Sequence, residues 1–189
     1  LKRIQAEDYE GAAFLKDGGA TQTGSLFRLR VANSLLLREK VFRLAYSVYR
    51  EQGYVQEHAC EWVVKALDAR PDTFMLLAED EAGALAGTVT LYFDQAGGIP
   101  ADVSFSGELD SLRAGGRKVA EVSRLVMESG HRQSKELLVR FFNSIYVQAR
   151  KIMGITDFII QVHPRHAPFY QRKLGFEVMG PERPCPQVQ

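Results

Sequence analysis

The chain has 189 residues, 46% of them hydrophobic and 25% charged, which suits one domain with a real core and excludes a disordered chain. Its 24 basic and 23 acidic residues leave a formal net charge of +1, so no global pull toward nucleic acid exists and any basic patch is local. Cys60 and Cys185 show neither metal-ligand spacing nor a disulfide framework. No apolar run approaches the roughly 18 residues of a membrane span and no signal peptide is visible, so a reducing cytoplasm is the expected location.

Residues 1–25 show little periodicity and hold Gly18-Gly19 and Thr21-Gln22-Thr23-Gly24, which predicts an N-terminal arm or linker ahead of a domain over 26–189. Leu26 to Ala32 alternates as a half-buried strand. Ser34 caps a helix to about Gln52, with Leu37, Val41, Leu44, Ala45 and Val48 at helical spacing and Gly53 ending it. A shorter helix is expected around Ala59 to Ala69, stopped by Arg70-Pro71. Thr73 to Ala78 and Leu85 to Phe93 read as a hairpin across an acidic turn. A loop with one weak helical turn, Gly107 to Ala114, leads to a strand over Lys118 to Met127. Ser134 to Lys151 is a long helix, Thr156 to Val162 a buried strand, His166 to Leu174 a short helix closed by Gly175, and Phe176 to Met179 a last strand. This order predicts an α/β (α+β) fold: a mixed, largely antiparallel sheet with helices on both faces.

The central strand carries Glu121 and Arg124 among valines and leucines. Burying either ion costs free energy that partners must return. Strict alternation puts Glu121, Ser123 and Leu125 on one face and Val122, Arg124 and Val126 on the other. Both charges can serve one cleft only if the strand bulges there, as strands do near active sites. An edge strand whose charges meet solvent fits the pattern as well.

The segment His166-Ala167-Pro168-Phe169-Tyr170-Gln171-Arg172-Lys173-Leu174-Gly175-Phe176-Glu177 resembles the GNAT acyltransferase helix that ends in Tyr-x-x-x-Gly-Phe. Glu121-Val122-Ser123-Arg124 resembles the Glu-x-Ser-Arg segment of acyl-homoserine-lactone synthases and of the related N-acyl amino acid synthases. Val41 to Tyr49, with Gly53-Tyr54, resembles the first helix of the same group. The lactone synthases' first-helix arginine is Ala45 here, their loop tryptophan is Tyr54, their hairpin arginine is Thr90, and their paired aspartates before the hairpin have no clear counterpart. Chemistry on S-adenosylmethionine is therefore not expected. The loop Gly98 to Asp102 and the stretch Glu108 to Arg113 resemble N-acyl amino acid synthases, which join a fatty acyl chain to an amino acid such as tyrosine.

The resemblance implies an N-acyltransferase with a GNAT-like sheet and a splayed or bulged central strand. GNAT enzymes bind coenzyme A pyrophosphate on a Gly-rich loop at a helix N-terminus. Glu128 to Lys135 holds one glycine only, so the expected donor is acyl-phosphopantetheine on acyl carrier protein, with acyl-CoA as the alternative and no permanently bound cofactor. Arg132, Lys135, Arg140, Arg150 and Lys151 are candidates for a surface that meets the acidic carrier; each also reads as an ordinary solvated position.

Acyl transfer to an amine needs a base, an oxyanion donor and a proton for the thiolate. Glu121 is the candidate base, acting through a water, or else a structural partner of Arg124. Arg124 suits anchoring of the Glu121 carboxylate or of the substrate carboxylate. Backbone N–H groups near Leu125, Val126 and Met127 are candidates for the oxyanion, and Ser123 for a hydrogen bond rather than a nucleophile. The resemblance places Tyr170 where the leaving thiolate is protonated. Phe93 and Phe141 fit both core packing and an acyl tunnel. His131, His163 and His166 make no metal site, for no third ligand is in reach. Two other functions remain open: a coenzyme A-dependent GNAT enzyme acting on an unknown amine, and a non-catalytic module that binds acyl chains or carrier protein.

Overall fold

The computed structural model describes residues 1–7 and 26–184. In chain order its elements are β1 (Lys2–Gln5), β2 (Phe27–Val31), α1 (Leu35–Glu51), β3 (Phe74–Asp80), β4 (Leu85–Phe93), α2 (Asp102–Ala114), β5 (Val119–Met127), α3 (Lys135–Tyr146), β6 (Asp157–Ile160), α4 (Ala167–Leu174) and β7 (Glu177–Val178). The strands form one sheet in the order β2-β3-β4-β5-β6-β1-β7. β5 therefore has a strand on each side, and the edge-strand reading of Glu121 and Arg124 is excluded. No helix among the described residues is long and apolar enough to cross a membrane.

The described chain forms two compact units, one of residues 1–7, 91–123 and 142–184, the other of residues 26–90 and 124–141. Strands β4 and β5 each contribute to both.

In the first unit β6 pairs parallel to β5, with Val119 opposite Asp157 and Val122 opposite Ile160. β1 lies antiparallel to β6 and to β7. The opening residues, expected within an arm, thus include a sheet strand, because Lys2 and Ile4 are buried on one face while Arg3 binds Asp157 at 2.6 Å. Residues 8–25 of that arm, like Cys185, lie outside the described residues. Asp157 also takes Arg117 Nε at 2.5 Å and the Thr156 hydroxyl at 2.6 Å. Burial alone pushes this carboxyl up, but the bonds from Arg117, Thr156 and Arg3 outweigh it and hold the group below its ordinary range.

Two expectations change here. The stretch 94–116 contains a full helix, α2, with a break at Phe105 (φ −136°, ψ 30°). The predicted long helix ends as α-helix at Tyr146 and widens into a π-helical turn, Val147–Ile152. α4 closes on Gly175 at φ 72°, a left-handed position that glycine takes without strain.

In the second unit Ser34 caps α1 through Leu37 N–H, and α1 lays Leu37, Val41 and Phe42 into a core with Ala32, Met75 and Leu77. The helix expected over 59–69 is absent. Trp62 packs against that core instead, Val63 N–H donates to Phe42 O at 3.3 Å, and a single 3₁₀ turn, Ala66–Ala69, ends the segment. The β-branched Val63-Val64 pair disfavours helix, and Asp68 caps the turn by accepting Lys65 N–H at 2.6 Å.

A Cβ added to Gly87 would sit 3.0 Å from Val126 O and 3.0 Å from Phe141 Cε2. The carbonyl cannot rotate away, so Gly87→Ala is expected to cost about 1–3 kcal/mol, seen as a lower urea midpoint at unchanged slope. Asp157 contributes stability that is fully present above the ordinary carboxylate range and is lost as pH falls through its depressed folded value. The melting-temperature gap between wild type and Asp157→Asn is expected to shrink as pH drops below about 4.

Candidate active site

The site is built on β5. Asp94 N–H donates to Val119 O at 3.0 Å and Glu128 N–H to Ala86 O at 3.0 Å. From Ala86 to Asp94 is eight residues, and from Val119 to Glu128 is nine, so β5 carries one extra residue and must bulge. The bulge is at Arg124, whose φ is +47°. A non-glycine residue in that region costs on the order of 1–2 kcal/mol, which surrounding contacts must repay.

In the first unit Glu121 is 1% exposed. Its Oε2 accepts Ala101 N–H at 2.7 Å and its Oε1 accepts Gln161 Nε2–H at 2.8 Å. Ala101 is the N-cap residue of α2 and Gln161 follows β6. These two donors orient the carboxylate, one on each oxygen. Neither partner is legible in the sequence: one is a backbone amide, the other lies 40 residues away. Phe93 is buried and Ser123 half-buried in this unit. The Tyr170 ring stands edge-on to Phe169 (5.4 Å) and Phe176 (5.9 Å).

In the second unit Arg124 is 2% exposed and meets Asp68, 4% exposed. Nη1 donates to Asp68 Oδ1 at 2.8 Å and Nη2 to Oδ2, a two-pronged fork. Thr90 Oγ1 lies 3.5 Å from Nη1 and the guanidinium stacks on Phe42 at 5.3 Å. The sequence reading gave Asp68 no role. Its signal, an acid before the hairpin, was hidden inside a segment read as a helix. Val126, Met127 and Phe141 are buried here, and Leu125 is half-buried.

The basic residues named for a carrier surface are mostly engaged at home. In the second unit Arg132 pairs with Glu51, and Arg140 donates to Phe27 O and lies 3.8 Å from Glu136; Lys135 is exposed. In the first unit Arg150 binds Glu7 at 3.1 Å, and Lys151 stands 5.5 Å over the Tyr146 ring.

After β5, Glu128 turns back on its own loop. Its Oε2 accepts Gly130 N–H at 2.8 Å and its Oε1 contacts the Ser129 hydroxyl. The bonds from Ser129 and Gly130 hold the carboxyl below its ordinary range, so it is charged. Ser134 Oγ accepts Leu137 N–H at 3.2 Å at the start of α3. Where a pyrophosphate cradle needs open amides, this loop holds an anion. Among the described residues no three His, Cys, Asp or Glu side chains gather as a metal site.

The family model of N-acyl amino acid synthase FeeM matches residues 40–189. The chain belongs to this family. Among solved structures, FeeM from uncultured soil microbes aligns with a TM-score of 0.71 at 23% identity, over 86% of this chain and 84% of that one. A Trypanosoma brucei acetyltransferase (TM-score 0.52, 16% identity, 84% and 97% covered) shares the fold. So does glucosamine-6-phosphate N-acetyltransferase from Arabidopsis thaliana (0.52, 18%, 85% and 97%). No curated protein matches the chain. Like other members of the FeeM family, the protein is an N-acyltransferase with a GNAT-like fold, as the segments around Glu121 and Tyr170 imply.

Removing one member of a buried ion pair strands the other charge, at about 3–5 kcal/mol. Asp68→Ala in this FeeM-family chain is therefore expected to unfold at a urea midpoint at least about 1 M below wild type, and Asp68→Glu, which keeps the charge, to recover part of the loss.

Proposed function

We propose that the protein transfers a long-chain fatty acyl group from the phosphopantetheine thioester of acyl carrier protein to the amino group of an amino acid such as tyrosine. The observation that carries this reading is Glu121: a buried, doubly oriented carboxylate on an interior strand of an N-acyltransferase. The hydrogen bonds from Ala101 and Gln161 fix the direction in which that carboxylate can meet a proton.

In the proposed reaction the ammonium gives a proton to Glu121 through a water, and the free amine attacks the thioester carbonyl. The C–N bond forms as the carbonyl becomes a tetrahedral oxyanion. Backbone N–H groups of Leu125 to Met127, held at the bulge beside Arg124, receive that oxyanion. The C–S bond then breaks, Tyr170 protonates the departing thiolate, the extra proton on the new amide nitrogen returns through water to the Tyr170 phenolate, and Glu121 releases its proton to solvent. Arg124 acts through Asp68: its two-pronged bond fixes the strained strand, a better use of both Nη atoms than capture of the substrate carboxylate. Ser123 supplies a hydrogen bond, and Phe93 and Phe141 wall the acyl chain.

Glu128 supports a carrier-bound donor over free coenzyme A, because a carboxylate on the loop repels a pyrophosphate. Protein localisation in the cytoplasm follows from that donor. Lipid extracts of cells expressing the chain, compared by mass spectrometry with the Glu121→Gln variant, test the reading. New N-acyl amino acids that fall at least about a hundredfold in the variant support it. Full activity in Glu121→Gln ends the base assignment. Acylation driven equally well by small acyl-CoA would transfer the reading to a coenzyme A enzyme.

A further inference from the structure

Arg113, near the end of α2, offers five N–H donors, and five contacts meet them. Nε and Nη2 bind the two oxygens of Asp94 at 2.8 Å each. Nη1 and Nη2 bind Asp102 Oδ1 and Oδ2 at 2.7 and 2.9 Å, and Nη1 also reaches Asp110 at 2.9 Å. One planar fork thus ties the residue that follows β4 to the first residue of α2.

Asp102 passes the constraint on. Its Oδ2 accepts Ile99 N–H at 2.8 Å, and its own N–H donates to Ile99 O at 3.0 Å, closing a tight turn over residues 99–102. Gly98 enters that turn at φ +70°, where a Cβ would lie 2.4 Å from Asp102 Oδ2, so no other residue fits. Ile99, Pro100 and Ala101 are buried. Inside the turn sits Ala101, whose N–H points at Glu121. Asp94 completes the frame, since its N–H bonds to Val119 O, two residues before Glu121 on the same strand.

We propose that Arg113 is a positioning residue for the acyl transfer: by clamping Asp102 to Asp94 it aims the Ala101 amide at Glu121 and fixes the direction of the base. The inference rests on the base role given to Glu121 above. Two anions on one guanidinium would be excessive for mere helix capping, and the i,i+3 contact to Asp110 already serves the exposed face. A lysine cannot replace the fork, because a point charge with three donors cannot bind both carboxylates side-on.

The test has two readouts on the full chain. The first is the Ala101 amide proton in a ¹⁵N–¹H spectrum, which a carboxylate acceptor moves downfield. Arg113→Met and the milder Asp102→Asn are expected to move it upfield, with Arg113→Lys between them and wild type. The second is turnover of palmitoyl-acyl carrier protein with tyrosine. The same variants are expected to lose about ten- to a hundredfold in kcat at unchanged KM for tyrosine, and the deficit narrows toward pH 9, where the amine deprotonates unaided. An Ala101 resonance that stays in place in a folded variant overturns the proposal; if Arg113→Met does not fold, Asp102→Asn decides. A displaced resonance with wild-type kcat also overturns it. Full turnover by Glu121→Gln instead overturns the underlying base assignment, and the amide shift then separates that failure from one of Arg113.

Discussion

A guanidinium buried to 2% exposure, on a backbone at φ +47°, is met by both oxygens of Asp68. Arg124 combines two costs that a chain ordinarily keeps apart, the desolvation of a charge and a left-handed turn inside a strand. Each is offset by the same contact. Asp68 in turn is held by the 3₁₀ turn it caps at Lys65, and the turn replaces what would otherwise be a helix. The irregular segment after α1 thus ends in the turn from which Asp68 meets Arg124.

Glu121 meets the same problem with other groups. It too is buried, and an amide and a carboxamide donate to its two oxygens, which lowers the cost of the charge. Three residues apart on one strand, a carboxylate is oriented by hydrogen bonds from an amide and a carboxamide, and a guanidinium by a carboxylate.

Much of the fold was legible. The bounds of β4 came out as Leu85–Phe93 because an apolar run is closed by an acidic Gly-containing turn, and α1 began at its Ser34 cap. The family was legible in the segments around Glu121 and Tyr170. α2 was not, because Ser104, Ser106, Gly107 and Asp110 are poor helix formers, and its integrity depends on Arg113 bonds to Asp94 and Asp102 that a local window does not contain. The partner of Arg124 was missed for the same reason. Local periodicity reports which face is apolar; it does not report which of 23 acids a buried arginine will choose.

The loop after β5 bears on the acyl donor. A free diphosphate is held by several open amides at a helix N-terminus, and here Gly130 N–H already serves the Glu128 carboxylate while Leu137 N–H serves Ser134. Replacing the carboxylate by a diphosphate would require expelling one anion to admit a stronger one beside it. The nearby arginines do not invite that exchange, since Arg132 is committed to Glu51 and Arg140 to Phe27 O, while Lys135 is exposed. Paired arginines also make a weaker lure for an acidic carrier than their number suggests, because each carries its own counter-charge. What this loop presents to a diphosphate is therefore a held carboxylate more than an attracting arginine.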